Sequence, residues 1–192
     1  MIPANLLPED YRESYCVAGG WAACPAMAQD QDVWVYGVET DQLEAVGTQL
    51  LSWLQGENSK VPYYRRPFWV EAQVEARSTE AREEYESKTV EIRKVAKVEV
   101  KLSPRARRKV IHLLVTDARN PAEILDGFDV STHAVAIDYS GAIWQHDGYT
   151  SPHVAPVALL MNVKTPARTA RIARRFGHPA AAENLEAGVG DE

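Results

Sequence analysis

The chain has 192 residues, 45% of them hydrophobic and 25% charged, and its 21 lysines and arginines against 27 aspartates and glutamates give a net charge of −6. That length suits one domain with a substantial core, and the composition is that of a globular protein, not a disordered or membrane-embedded one. The acid excess argues against a surface built mainly to coat nucleic acid but leaves room for a local basic one, and the two cysteines, Cys16 and Cys24, complete neither a disulfide scaffold nor a zinc site.

In chain order, Pro8 to Tyr11 reads as a short helical or extended entry, and Tyr15 to Val17 leads into the turn Gly19-Gly20. Asp30 to Tyr36 reads as a strand. Side chains two apart share a face, so Asp30 and Asp32 project together while Val33 and Val35 face a core. Leu43, Val46, Leu50, Leu51 and Leu54 recur at helical spacing, with Thr40 expected as N-cap and Gly56 as the stop. An aromatic and basic loop follows from Val61 to Trp69. Alternation in Glu71 to Ala76, and again in Val90 to Arg93 and Val98 to Lys101, predicts edge hairpin structure around a helical or loop-like Thr79 to Lys88. Beyond the basic turn Ser103 to Lys109, Val110 to Val115 predicts a buried strand. Asn120 then caps a short helix with Pro121 at its first position.

Phe128 to Asp138 reads as a further strand, turning at Tyr139-Ser140-Gly141 into Ala142 to Gln145 as a hairpin. Lys164 to Gly177 reads as a helix whose Arg168, Arg171 and Arg175 share one face, with Thr169, Ile172 and Phe176 toward a core. The stretch Ala180 to Glu192, rich in alanine, glycine and acid, is expected to fray. The sum is an α/β (α+β) fold, a mixed sheet flanked by helices in one domain over 1–178 with an acidic tail at 179–192. No apolar run approaches a membrane span and Met1-Ile2-Pro3 opens no signal peptide, so a cytoplasmic location with no membrane partner is expected.

The chemistry concentrates early. Two alternate carboxylates, Asp30 and Asp32, suit Mg²⁺, which takes one or two carboxylates together with phosphate oxygens. Gly19 and Gly20, lacking Cβ atoms, let backbone N–H groups approach phosphate closely. His112, His133, His146, His153 and His178 form no metal-binding spacing, and His133 reads as a structural residue. The absence of G-x-S-x-G, Walker A and G-x-G-x-x-G sequences removes the commonest hydrolase, ATPase and dinucleotide-binding readings.

The stretch Ala18-Gly19-Gly20 followed by Asp30-Gln31-Asp32-Val33 resembles the signature of the polymerase-beta-like nucleotidyltransferase superfamily: a Gly-Gly or Gly-Ser turn, a short gap, then Asp-x-Asp or Asp-x-Glu. The chain also resembles phage-borne nucleotidyltransferase-like proteins in Phe128-Asp129 and in the helix starting Thr165-Pro166-Ala167-Arg168, together spanning about residues 15–178. The resemblance implies catalysis in a host cytoplasm with Mg²⁺ or Mn²⁺ held by Asp30, Asp32 and a third carboxylate. Asp129 is favoured for that third position, with Asp138 the other choice. It further implies a nucleoside triphosphate held at Gly19, Gly20, Arg168 and Arg171, and an acceptor that is RNA, tRNA, protein or a small molecule. A second reading follows from Gln31, where the superfamily carries an apolar residue, and from Trp21 after the glycines: a non-catalytic module of the same fold that binds a nucleotide or host protein. A third is a phosphodiester-cleaving metal enzyme, because two-metal carboxylate sites serve nucleases as well.

Overall fold

The computed structural model describes residues 7–26, 28, 30–60, 68–75, 92–100, 109–128, 130–151, 170, 171, 173, 174 and 183. Their elements, in order, are a 3₁₀ turn at Glu9–Tyr11, strand β1 (Tyr15–Ala18), the single-turn helix α1 (Gly20–Ala23), β2 (Asp30–Val35), a 3₁₀ turn at Thr40–Gln42 and helix α2 (Leu43–Ser59). Strands β3 (Phe68–Glu75), β4 (Ile92–Val100) and β5 (Lys109–Thr116) follow, then helix α3 (Pro121–Leu125), a 3₁₀ turn at Ser131–His133, β6 (Val135–Asp138) and β7 (Ile143–Gln145). One mixed sheet takes the order β3-β4-β5-β2-β1-β6-β7. Its β2–β5 pair is parallel and the others are antiparallel.

Period-two alternation sorts the central strands onto two faces. Val17, Val33, Val35, Ile111, Leu113 and Val115 pack in one core with Leu43, Leu50 and Leu54 of α2. Cys16, Ala18, Trp34 and Ala136 pack on the other face with Ile124 and Leu125 of α3, backed by Phe128 and Trp144. At 25–30 cal/mol per Å² of apolar surface, each fully buried leucine or valine adds about 1.5–3 kcal/mol over leaving it exposed, so α2 is held by its three buried leucines more than by helix propensity. Both cysteines are buried and unbonded, in agreement with a packing role.

This is the mixed α+β architecture expected, and four local details differ from the sequence reading. Thr40 does not cap α2; its hydroxyl donates to Asp117 Oδ2 at 2.8 Å, tying the entry to α2 to the end of β5. Gly56 does not stop α2, since nothing crowds it and the helix continues to Ser59, whose hydroxyl donates to the Gly56 carbonyl at 2.7 Å. The edge hairpin is present as β3 and β4, but β4 is one continuous strand with an irregularity between Lys94 and Ala96. The strand predicted from Phe128 to Asp138 is shorter: Ser131–His133 forms a 3₁₀ turn, with His133 N donating to the Val130 carbonyl at 2.9 Å, and strand β6 begins at Val135. Asn120 caps α3 as expected, accepting from Glu123 N at 3.2 Å.

In the C-terminal segment Ala170 and Ala173 are buried and helical, while Arg171 and Arg174 are exposed. The loop at 61–67, the segment at 76–91, the basic turn at 101–108, Arg168, Arg175, and the tail at 179–192 apart from Glu183 lie outside the described residues. No helix among the described residues is long and apolar enough to cross a membrane.

Gly19 and Gly56 respond oppositely to a methyl group. Gly19 has φ 84° and ψ −151°, a region essentially closed to other residues, and a Cβ there would lie 3.3 Å from Phe128 Cε1. Gly56 is helical with open space around it. Gly19→Ala is expected to lower unfolding stability by about 1–3 kcal/mol, and Gly56→Ala to raise it by about 0.5–1 kcal/mol, both read from urea midpoints.

Candidate functional site

β1 ends where the chain must reverse sharply into α1, and Gly19 makes that reversal. Its N–H donates to the Val135 carbonyl at 3.0 Å, and its own carbonyl accepts from Ala23 N at 3.0 Å, the first bond of α1. The Gly19 N–H is therefore committed to the sheet. The N–H groups that precede the first helical donor, Ala23, belong to Gly20, Trp21 and Ala22 and lack an intrahelical acceptor.

β2 returns beside this turn. Ala18 pairs with Asp32 in the antiparallel β1–β2 register, and a Cβ on Gly19 would stand 3.6 Å from Asp32 Oδ2. The glycine turn and Asp32 thus meet in space. Asp30 is exposed and Asp32 half-buried, both on the Trp34 face of β2, with Val33 and Val35 on the α2 face as the alternation predicts. Gln31 belongs to the α2 side of the strand and is buried, its amide nitrogen without a protein partner. The identity of that residue bears on packing under the site, not on its open surface.

His112 is the residue that sequence reasoning missed. Parallel pairing of β2 and β5 sets it directly beside Asp32. Its Nδ1 lies 2.9 Å from Asp32 Oδ1 and 3.9 Å from Asp30 Oδ2, with about a fifth of the side chain exposed. The sheet register extends this row through Lys97 of β4 to Glu71 of β3. A second histidine, His133, stands over α1, and a Cβ on Gly20 would come 3.4 Å from its Nε2.

The remaining expected residues fall as follows. Asp138 lies on β6 opposite Cys16, two strands away from β2. Its Oδ1 accepts from Ser140 N, Ser140 Oγ and Ala142 N at 2.9, 2.7 and 3.0 Å, and its Oδ2 accepts from Trp144 Nε1 at 2.9 Å. That carboxylate organises the β6–β7 hairpin and is not turned to Asp30 and Asp32. Asp129 and Arg168 lie outside the described residues. Phe128 is described, with its ring against Gly19 and 6.3 Å from the Trp34 ring centroid. Arg171 is exposed beside the buried Ala170.

Carboxylates and imidazole are ligand types that divalent cations take, and a Cβ on Gly19 would sit between Phe128 and Asp32, 3.3 Å from Phe128 Cε1 and 3.6 Å from Asp32 Oδ2. Among the described residues no group of three His, Cys, Asp or Glu side chains is placed to hold a metal ion; the imidazole is hydrogen-bonded to Asp32. No family model matches the chain, and the characterised proteins compared with it include none that is similar.

The hairpin role of Asp138 has a pH signature. Burial acts to raise its pKa, but the hydrogen bonds from Ser140, Trp144 and Ala142 outweigh that and hold the carboxyl below the usual carboxylate range. A carboxylate with a lowered folded pKa stabilises the fold above its unfolded value of about 3.9 and loses that contribution as pH falls through the folded value. Asp138→Asn is expected to melt below the wild type at pH 7, the gap in Tm narrowing as the buffer is taken below about pH 4, with no change in divalent-cation binding.

Proposed function

We propose that the chain transfers a nucleoside monophosphate from a nucleoside triphosphate to an acceptor hydroxyl, with Asp30 and Asp32 holding Mg²⁺ or Mn²⁺. The observation that carries this reading is the meeting of the Gly19-Gly20 turn with Asp32, 3.6 Å from a Gly19 Cβ position to Asp32 Oδ2, on the strand face that Asp30 shares. A phosphate-binding turn and a cation-binding pair are of use together only if one ligand carries both phosphate and cation, as a nucleoside triphosphate does.

The division of labour follows from position. The N–H groups of Gly20, Trp21 and Ala22 hold phosphate oxygens. Asp30 and Asp32 orient the cation from one side of the strand. Asp129 is the proposed third carboxylate, and Arg168 and Arg171 are the proposed counter-charges to the triphosphate. A divalent cation there supplies charge neutralisation on the triphosphate and acidifies the acceptor hydroxyl. The acceptor oxygen forms a bond to the α-phosphorus, the bond from that phosphorus to the bridging oxygen breaks, pyrophosphate leaves, and the hydroxyl proton passes to solvent. Positioning the hydroxyl in line with the leaving group is the protein's main contribution. The acceptor class is RNA, protein or a small molecule, a choice that a shared fold does not make.

A second reading, a nucleotide- or protein-binding module without catalysis, is favoured by one contact. His112 bonds Asp32 at 2.9 Å and so satisfies that carboxylate without a cation.

Thermal unfolding separates the two. ATP, GTP, CTP and UTP are each added with and without Mg²⁺ to wild type and to the Asp30→Asn, Asp32→Asn double variant. A ligand at a hundred times its Kd adds about 2.7 kcal/mol, a rise of roughly 5–10 °C for a chain of this size. Magnesium-dependent stabilisation by one nucleotide, lost in the double variant, is the expected result, and a pyrophosphate-release assay with that nucleotide then distinguishes transfer from phosphodiester cleavage. No shift with any nucleotide overturns the transferase reading.

A further inference from the structure

We propose that the open sheet edge at β7 is a docking site for an extended segment of another protein, one that alternates apolar and polar residues and carries lysine or arginine at its ends. β7 is the last strand of the sheet, and its pairing with β6 fixes which way its peptide groups point. Asp138 N donates to the Ala142 carbonyl and His146 N to the Ala134 carbonyl, each at 3.0 Å, and Ala136 pairs with Trp144 between them. Ala142, Trp144 and His146 therefore bond inward, while the N–H and C=O groups of Ile143 and Gln145 point away from β6. Among the described residues no strand pairs with that side. Such edges are commonly blunted by lysine, proline or a bulge, and Ile143-Trp144-Gln145 carries none of these. Three residues make a narrow contact, enough to seat a short segment and well below what a stable pair of folded chains needs.

Side chains define the rest of the partner. Ile143 is 68% exposed and Tyr139 46%, the two large hydrophobic residues left exposed among those described, and both belong to this hairpin. Ile143 stands opposite the half-buried Ile137 of β6, so an added strand with an apolar residue opposite Ile143 continues that row. Charge sets the ends. From Asn120 to Val163 the chain has five acids, Glu123, Asp126, Asp129, Asp138 and Asp147, and no lysine or arginine. Asp126, 70% exposed, lies beside one end of β7, its Oδ1 3.9 Å from His146 Nε2, and the exposed Asp147 follows that histidine. Asp138 lies at the other end, its Oδ1 accepting from Ala142 N. A second copy paired antiparallel at β7 would bring its own Asp126 and Asp147 to the Asp138 end, acid against acid, in a chain of net charge −6. A segment with cationic ends meets acids at both.

A synthetic peptide of alternating valine and threonine between lysine ends, titrated into the ¹⁵N-labelled full chain, tests this beside the same peptide with glutamate ends. The lysine peptide is expected to move the amide signals of Ile143 and Gln145 most, to bind more tightly than the glutamate peptide, and to weaken as salt is raised. Ile143→Pro removes one outward N–H and leaves the β6–β7 bonds in place, and is expected to weaken binding about fivefold or more. Asp126→Ser combined with Asp147→Ser is expected to narrow the difference between the two peptides. No preference for the lysine peptide in wild type, signal changes away from β7, or equal binding by Ile143→Pro overturns the proposal. Ile143 and Gln145 signals that move with protein concentration in the absence of peptide also overturn it, and give the edge to a second copy. The wild-type titration needs no substitution, so the test stands even if a variant fails to fold, and it uses neither nucleotide nor cation, so its outcome is separate from that of the transferase reading.

Discussion

The parallel pairing of β2 with β5 is the constraint on which the rest of this molecule depends. It joins the β3-β4-β5 part of the sheet to the β2-β1-β6-β7 part, and a parallel pair needs a long crossover instead of a tight turn. The crossover here includes α2, β3 and β4, and α2 covers one sheet face through Leu43, Leu50 and Leu54. The same pairing aligns Val33 and Val35 with Leu113 and Val115 inside that core. On the opposite face it aligns Asp32 with His112. A one-residue slip of β5 would send His112 into the α2 core and Ile111 or Leu113 to the carboxylates, so the burial of those two apolar residues fixes the polar contact. The site geometry is a by-product of core registration.

Local features were legible in the sequence for that reason, and non-local ones were not. The alternation of Asp30 and Asp32 with Val33 and Val35, the Asn120 cap and the Tyr139 to Gly141 turn each depend on residues a few positions apart, and each appears in the structure as read. Thr40 looked like a cap because hydroxyls often serve there, but it opens a 3₁₀ turn instead and its hydroxyl donates to Asp117, 77 positions away. Histidine 112 and Asp32 are 80 positions apart. No spacing rule within a single chain reports which residue of β5 falls beside which residue of β2, so His112 read only as part of an apolar strand. The 3₁₀ turn at Ser131–His133 interrupted a segment whose composition was extended throughout, an override by packing that removed His133 from a strand face and set it over Gly20.

The two positions that looked anomalous beside the glycines and carboxylates have different physical meanings. Gln31 is on the core side of β2 with its amide nitrogen buried and lacking a protein partner. A buried unsatisfied donor costs about 1–3 kcal/mol, a charge against stability that leaves the opposite face of the strand untouched. Trp21 is only partly buried and packs against the α2-side core, so its bulk anchors α1 from behind. Neither residue occupies the carboxylate face.

What distinguishes this cluster from ordinary strand decoration is its charge balance. Aspartate is disfavoured in strands, and two of them on one face repel each other. A structural role would need at most one, since His112 can accept or supply a single close hydrogen bond through Nδ1 and gives it to Asp32 at 2.9 Å, leaving Asp30 at 3.9 Å. With one imidazole against two carboxylates, the cluster keeps a net negative charge whether the ring is neutral or cationic. Beside it, the Gly19 conformation is one that other residues essentially cannot adopt, so the fold holds that turn at the cost of flexibility in the unfolded chain. Packing alone does not require the second carboxylate. The proposed cation gives it a role.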